Sequence, residues 1–153
     1  MKAEISTEIA APPVVVFATL MDVARWPEFI KGITRIELLD PGPIREGTRL
    51  RETRTMYGRE AVEVMTFAVI APQRIVLTAE NHGTRYTATH NIAASGAGSR
   101  LTLTFEGVAV TFAARLFSVL ALVLAGSVRK QLARDLADVK AEAERRVTAD
   151  AGR

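Results

Sequence analysis

The stretch Ile9-Ala-Ala-Pro-Pro-Val-Val-Val-Phe-Ala-Thr-Leu-Met-Asp22, followed after two intervening residues by Arg25-Trp26-Pro27-Glu28-Phe29, punctuates the chain twice near its start. Proline is tolerated in the first turn of a helix, where its missing N–H would have had no intrahelical partner. Pro12-Pro13 therefore starts a short helix through Val16, Phe17 and Leu20, which Asp22 ends or caps, and Trp26-Pro27 starts a second that stops near Gly32. Upstream, Ala3, Ile5, Thr7 and Ile9 alternate with Glu4, Ser6 and Glu8, the period of two that marks a strand. One strand and two short helices thus open the fold.

Downstream, turn-forming clusters recur at Asp40-Pro41-Gly42-Pro43, Tyr57-Gly58, Ala71-Pro72, Asn81-His82-Gly83 and Ser95-Gly96-Ala97-Gly98. They divide residues 33–107 into about six strands of an antiparallel meander. The clearest strand is 100–106, with Leu101, Leu103 and Phe105 on one face and Arg100, Thr102, Thr104 and Glu106 on the other. In its neighbour, 84–92, Tyr86, Ala88, His90 and Ile92 share a face. A sheet with one apolar face needs a cover, and the last segment supplies it. From 111 to about 146 there is no proline, and Leu124, Val128, Leu132, Leu136, Val139, Ala143 and Val147 recur three or four residues apart. At about 1.5 Å per residue this helix reaches about 50 Å, enough to cross the sheet, with Gly126 as a place to bend.

Composition bounds the reading. The chain has 153 residues, 48% of them hydrophobic and 24% charged, which suits one soluble globular domain, expected over 1–147 with a disordered tail at 148–153. It has no cysteine, so disulfides, thiolate nucleophiles and cysteine-based zinc sites are excluded, and cytoplasm is the default location. Acidic residues at Glu4 and Glu8 replace the apolar run of a secretory signal, so no export signal is expected and the mature chain is expected to begin near Met1. The net charge is +3, but the arginines are dispersed among acids, without a basic run or interleaved aromatics, so nucleic acid is not an expected partner.

The order strand, two short helices, six-strand meander and long final helix, together with the 9–29 stretch, resembles the SRPBCC (START/Bet v 1-like) superfamily and its polyketide cyclase/dehydrase and lipid-transport-like members. Glu46-Gly47-Thr48-Arg49, Gly58-Arg59, Ala71-Pro72-Gln73-Arg74-Ile75 and Gly98-Ser99-Arg100-Leu101-Thr102 are similar to that family's successive strand starts. The resemblance implies an α+β helix-grip fold, a curved antiparallel sheet of about seven strands that encloses a cavity with the final helix. It also implies an apolar ligand such as a lipid, sterol, polyketide or quinone. Some such proteins are cyclases or dehydratases and many only bind or carry, and fold alone does not choose.

Neither histidine belongs to a metal-ligand spacing, Gly96-Ala97-Gly98 lacks the rest of a dinucleotide fingerprint, and no Gly-x-Ser-x-Gly elbow is present, so neither metal nor nucleotide cofactor is expected. His82 sits in a turn, where solvation is its expected role. His90 shares a face with Tyr86, where an imidazole either serves as acid, base or hydrogen-bonding group for a ligand or is a half-buried packing residue. In the strand 48–56, Leu50, Glu52, Arg54 and Met56 share the more apolar face. Glu52 and Arg54 then either turn inward, to pair or to meet a polar ligand head, or lie at the open rim in water.

The expected function is noncatalytic binding, with or without transfer, of an apolar small molecule. The alternative is a cyclase- or dehydratase-like enzyme using His90, Tyr86, Glu52 or Arg54. The expected ligand-lining residues are Trp26, Phe29, Met56, Phe67, Leu77, Tyr86, His90, Leu103, Phe105, Phe117, Leu120 and Leu124. The run 116–126 is apolar all round the helix but too short to span a bilayer, which needs about 20 such residues. It reads as a buried half-helix closing the pocket, or else as a dimer or shallow membrane contact, which leaves a monomer and a homodimer both open.

Overall fold

Seven strands account for all but the opening and closing helices: β1 Lys2–Ile9, β2 Ile33–Leu38, β3 Arg49–Met56, β4 Arg59–Ala71, β5 Arg74–Asn81, β6 Thr84–Ser95 and β7 Gly98–Ala109. In this computed structural model, which describes residues 1–118 and 123–153, they form one antiparallel sheet in the order β1-β7-β6-β5-β4-β3-β2. Each turn cluster read from the sequence falls between two strands. At Tyr57-Gly58 and His82-Gly83 both central residues have positive φ, 52° and 73° in the first and 49° and 72° in the second. Two-residue turns of that kind follow the right-handed twist of the strands they join, and glycine in the second position adopts the left-handed conformation without a Cβ penalty.

β1 pairs with β7 from Lys2 opposite Glu106 to Ile9 opposite Ser99, which puts the first strand at one edge of the sheet and β2 at the other. The chain crosses between these edges through α1 Pro13–Met21, a 3-10 turn Val23–Arg25 and α2 Trp26–Phe29. Pro12 is the N-cap of α1 and Pro13 its first residue, as the sequence requires. Val16, Leu20, Val23, Trp26 and Ile30 point from this crossing into the core, where the Trp26 indole donates to Leu20 O at 3.1 Å.

α3, Phe112–Ala151, is the cover. Its start is pinned to the sheet: Val110 N donates to Gly83 O at 2.8 Å, and a Cβ on Gly83 would collide with Thr111, whose hydroxyl caps the helix by accepting from Ala114 N. Leu136, Val139 and Ala143 are buried against the sheet, with Leu132 and Val147 half-buried beside them, on the stripe the spacing predicts. Near the other end Glu142 accepts from Arg145 and Arg146, and Arg146 also reaches Asp22 at 2.7 Å, tying α3 to the end of α1. The helix runs on through residues expected to be a disordered tail, since nothing breaks it before Gly152 and Thr148 donates back to Glu144 O. The segments Phe112–Ser118 and Val123–Ala151 lie at 87° to each other, and Gly126 lies within the second.

Phe67, Leu50, Leu101 and Ile75 are the largest side chains shut off from solvent. Phe67→Ala removes a ring that the surrounding strands are too rigid to replace, and is expected to lower the unfolding free energy by about 3–5 kcal/mol in urea titrations. Val62→Thr, on the solvent face of β4, is expected to change it by no more than about 0.5 kcal/mol.

Candidate ligand-binding cavity

One helix and a short crossing leave part of the sheet's inner face uncovered, and there a cavity of about 420 Å³ lies between the strands and α3. Of the residues expected to line it, Trp26, Met56, Leu77, Tyr86, His90, Leu103, Phe105 and Leu124 do so. Tyr86 and Phe105 stack at 5.7 Å between centroids, and Gly107 opposite Tyr86 leaves the ring its room, since a Cβ there would sit 3.2 Å from it. Val128, Leu132, Leu136 and Val139 complete the helical wall.

Three expected lining residues are elsewhere. Phe67 lies in the solid core at the far end of β4, where its backbone bonds to Gly47 and Thr48. Phe29 packs on the core's margin with the Arg146 guanidinium 5.7 Å over its ring. Phe117 is 67% exposed and faces solvent. Leu120 lies outside the described residues.

β3 carries the polar part of the wall. Glu52 and Arg54, two residues apart on the inward face, are joined by Arg54 Nε donating to Glu52 Oε1 at 2.6 Å, and Arg54 Nη1 donates to Asp135 Oδ2 on α3 at 2.9 Å. All three side chains are 10–15% exposed, so of the two readings of this strand the inward one holds. Burial raises the Asp135 carboxyl to about 6, and the neighbouring carboxylates Glu52 and Asp138 add to this while Arg54 opposes it. Burial by itself would push the Arg54 guanidinium down, but Glu52 and Asp135 hold it above its usual value. Two carboxyls therefore share one fixed cation, and Asp135 holds its proton up to about pH 6.

His90 stands in the same wall on β6, between Ile75 and Leu103 in the sheet register. Burial lowers it to about 4, against a hydrogen bond with the Ile75 backbone, and its Nδ1 is buried with no partner among the described residues. It is therefore a neutral imidazole with a free polar atom. Further along, Asn81 donates to Glu63 at 3.4 Å, and both line the cavity, as does Gln131. Among the described residues no group of three or more histidine, aspartate or glutamate side chains is placed to hold a metal ion. Sequence reading missed Asp135, although it follows Val128 by seven residues and precedes Val139 by four, which puts it on the buried stripe.

The linkage of these groups to stability has opposite signs. Asp135 is raised from 3.8, so its contribution is full below that value and is lost as pH rises to about 6. His90 is lowered from 6.5, so its contribution is full above that value and is lost as pH falls to about 4. The two offset each other in the parent protein. Asp135→Asn is expected to give a melting temperature that climbs as pH rises from 4 to 6.5, and His90→Gln one that falls over the same range. Each slope amounts to at most about 3 kcal/mol. Thermal unfolding across that range checks both.

Comparison with known proteins places this architecture. No curated protein matches the sequence. Among solved structures, the chain is similar to the aromatase/cyclase Zhui from Streptomyces sp. R1128, at 19% identity and a TM-score of 0.72 over 96% of this chain and 95% of that one. The di-domain aromatase/cyclase StfQ from the steffimycin biosynthetic pathway matches at 15% identity and a TM-score of 0.79, over 96% of this chain and 52% of that one. Ara h 8.0201 matches at 14% and 0.72, over 94% and 97%. At such identities the likeness is one of fold. The sequence itself matches the family described as "Polyketide cyclase / dehydrase and lipid transport" over residues 1–144, and by that match and this helix-grip architecture the chain belongs to the polyketide cyclase/dehydrase and lipid transport family of the SRPBCC superfamily.

Proposed function

We propose that this protein binds, and hands on, an apolar small molecule of the size of a lipid chain, a quinone or an aromatic polyketide. The observation that carries this reading is the cavity of about 420 Å³, apolar on most of its wall and with a single ion cluster at Glu52, Arg54 and Asp135. Burying roughly 300 Å² of ligand surface contributes about 7 kcal/mol at 25 cal/mol per Å², before the entropy of association is subtracted. The ion cluster then orients a ligand that carries an oxygen at one end, because the guanidinium N–H groups not used by the two carboxyls remain as donors. A cytoplasmic location is part of the same reading, consistent with the absence of cysteine.

Turnover of the ligand is a second reading, favoured by Asp135 and His90. A carboxyl raised to about 6 and a neutral imidazole in one cavity are suited to moving protons at neutral pH, with Arg54 stabilising an enolate. Aromatase/cyclases such as Zhui share the fold, which makes an aromatic polyketide the first substrate class to try.

Native mass spectrometry of the freshly purified protein, followed by organic extraction, is expected to reveal a stoichiometric apolar adduct. Ala88→Phe, which fills the cavity from β6, is expected to weaken Nile red binding at least about tenfold, while Val62→Phe on the outer face leaves it unchanged. A clean apo mass with no melting shift on adding lipids, quinones or polyketides would count against binding. If the protein is an enzyme, His90→Ala or Tyr86→Phe abolishes turnover of the extracted class and leaves affinity nearly intact. Equal losses of both would dismiss catalysis.

A further inference from the structure

Residues 107–134 contain Arg115, Arg129, Lys130 and Arg134 and not one acidic residue. In the same segment Phe112 is 84% exposed, Leu116 70%, Phe117 67% and Val123 76%, and Leu124, which lines the cavity, is itself half in solvent. Soluble proteins seldom leave so many large apolar side chains of one short segment uncovered unless something docks there. The segment starts at the end of the sheet that carries the hairpin tips Tyr57-Gly58 and His82-Gly83, and exposed Tyr57 extends the apolar rim. Met1, Met56, Asn81 and Tyr86 line the cavity at that end, so the uncovered face adjoins that end of the cavity.

Charge selects the occupant. Of the carboxylates at the edge of this region, Glu106 is paired with Lys2 at 3.2 Å and Glu80 with Arg85 at 3.3 Å, and Arg59 and Glu60 at the β3–β4 hairpin add no net charge. The segment is therefore apolar and cationic, and Arg115 is the cation within its exposed apolar run. A second copy of this chain docked through the same face would set these cations against their own kind. Lipid headgroups of negative charge complement them, and the acyl boundary beneath accepts the phenylalanines. No single helix among the described residues is long and apolar enough to cross a membrane, and the two segments that reach that length and hydropathy together, Phe112–Ser118 and Val123–Ala151, lie at 87° to each other, so the contact proposed is a surface one.

We propose that the face formed by Phe112, Leu116 and Phe117, with Arg115 beside them, docks on an anionic lipid bilayer and sets the adjoining end of the cavity against it. The docking does not depend on which molecule the cavity takes, so it stands or falls separately from the function proposed above.

Co-sedimentation of the full chain with phosphatidylcholine vesicles, with and without phosphatidylglycerol, tests it. The protein is expected to partition onto the anionic vesicles at least about tenfold more strongly than onto the neutral ones, and to release as salt is raised. The double substitution Phe112→Ser, Phe117→Ser is expected to weaken that partition at least about tenfold. Both side chains are exposed, so the circular dichroism spectrum and melting temperature should stay as they are, and Val62→Ser on the outer sheet face serves as a neutral control. No partition onto either vesicle, equal partition onto both, or anionic partition that the double substitution leaves intact would each overturn the proposal. So would a dimer in sedimentation velocity that the double substitution dissolves while vesicles go unbound, because the face would then belong to a second copy.

Discussion

A wide sheet covered by a narrow helix is the constraint from which the rest of this structure follows. Seven strands spaced about 4.8 Å apart present an inner face roughly 29 Å across, whereas a helix with its side chains is only about 10–12 Å wide. α3 therefore cannot cover that face alone. The crossing through α1 and α2 fills one part with Val16, Leu20, Val23 and Trp26, and the strands fill another with Phe67, Leu50 and Leu101. What remains is the cavity. It is lined by side chains long enough to wall it and too few to fill it, and an apolar void of this kind stays available to an apolar guest.

Into that apolar wall the chain brings one expensive feature. Removing a single ion from water costs several kcal/mol, so Glu52, Arg54 and Asp135 are tolerable only as a hydrogen-bonded set. The set is unbalanced, two carboxyls to one guanidinium, and the imbalance is resolved by the raised Asp135 rather than by solvent. Its geometry depends on two elements that meet only in the folded chain: the pleat of β3, which aims residues 52 and 54 the same way, and the helical stripe of α3, which lays Asp135 across from them. Gly32 keeps the approach open, since a Cβ there would sit 3.2 Å from Arg54 Nη1.

The reading of individual residues from sequence succeeded where a period and a neighbour sufficed. The alternation in β3 put Leu50, Glu52, Arg54 and Met56 on one face, and all four are turned inward. The turns at Tyr57-Gly58 and His82-Gly83 were legible because glycine after a polar or aromatic residue marks a left-handed pair. Phe67 was misplaced because alternation tells which face a residue shares but not how far along the strand the cavity extends, and β4 also slips register between Phe67 and Val69. Phe117 was misplaced because an all-apolar helical run reads as buried whether or not anything covers it.

By itself the sequence determined the element order, the alternation within its clearest strands and the absence of cysteine chemistry, because each rests on local periods, turn residues or composition. Only the tertiary structure decided that Asp135 completes the Glu52–Arg54 pair, that His90 is buried neutral with a free Nδ1, and that the start of α3 is left in solvent. Those are contacts between residues tens of positions apart, or the lack of them. They depend on how far one helix can reach over a sheet too wide for it, and no spacing within a single segment encodes that distance.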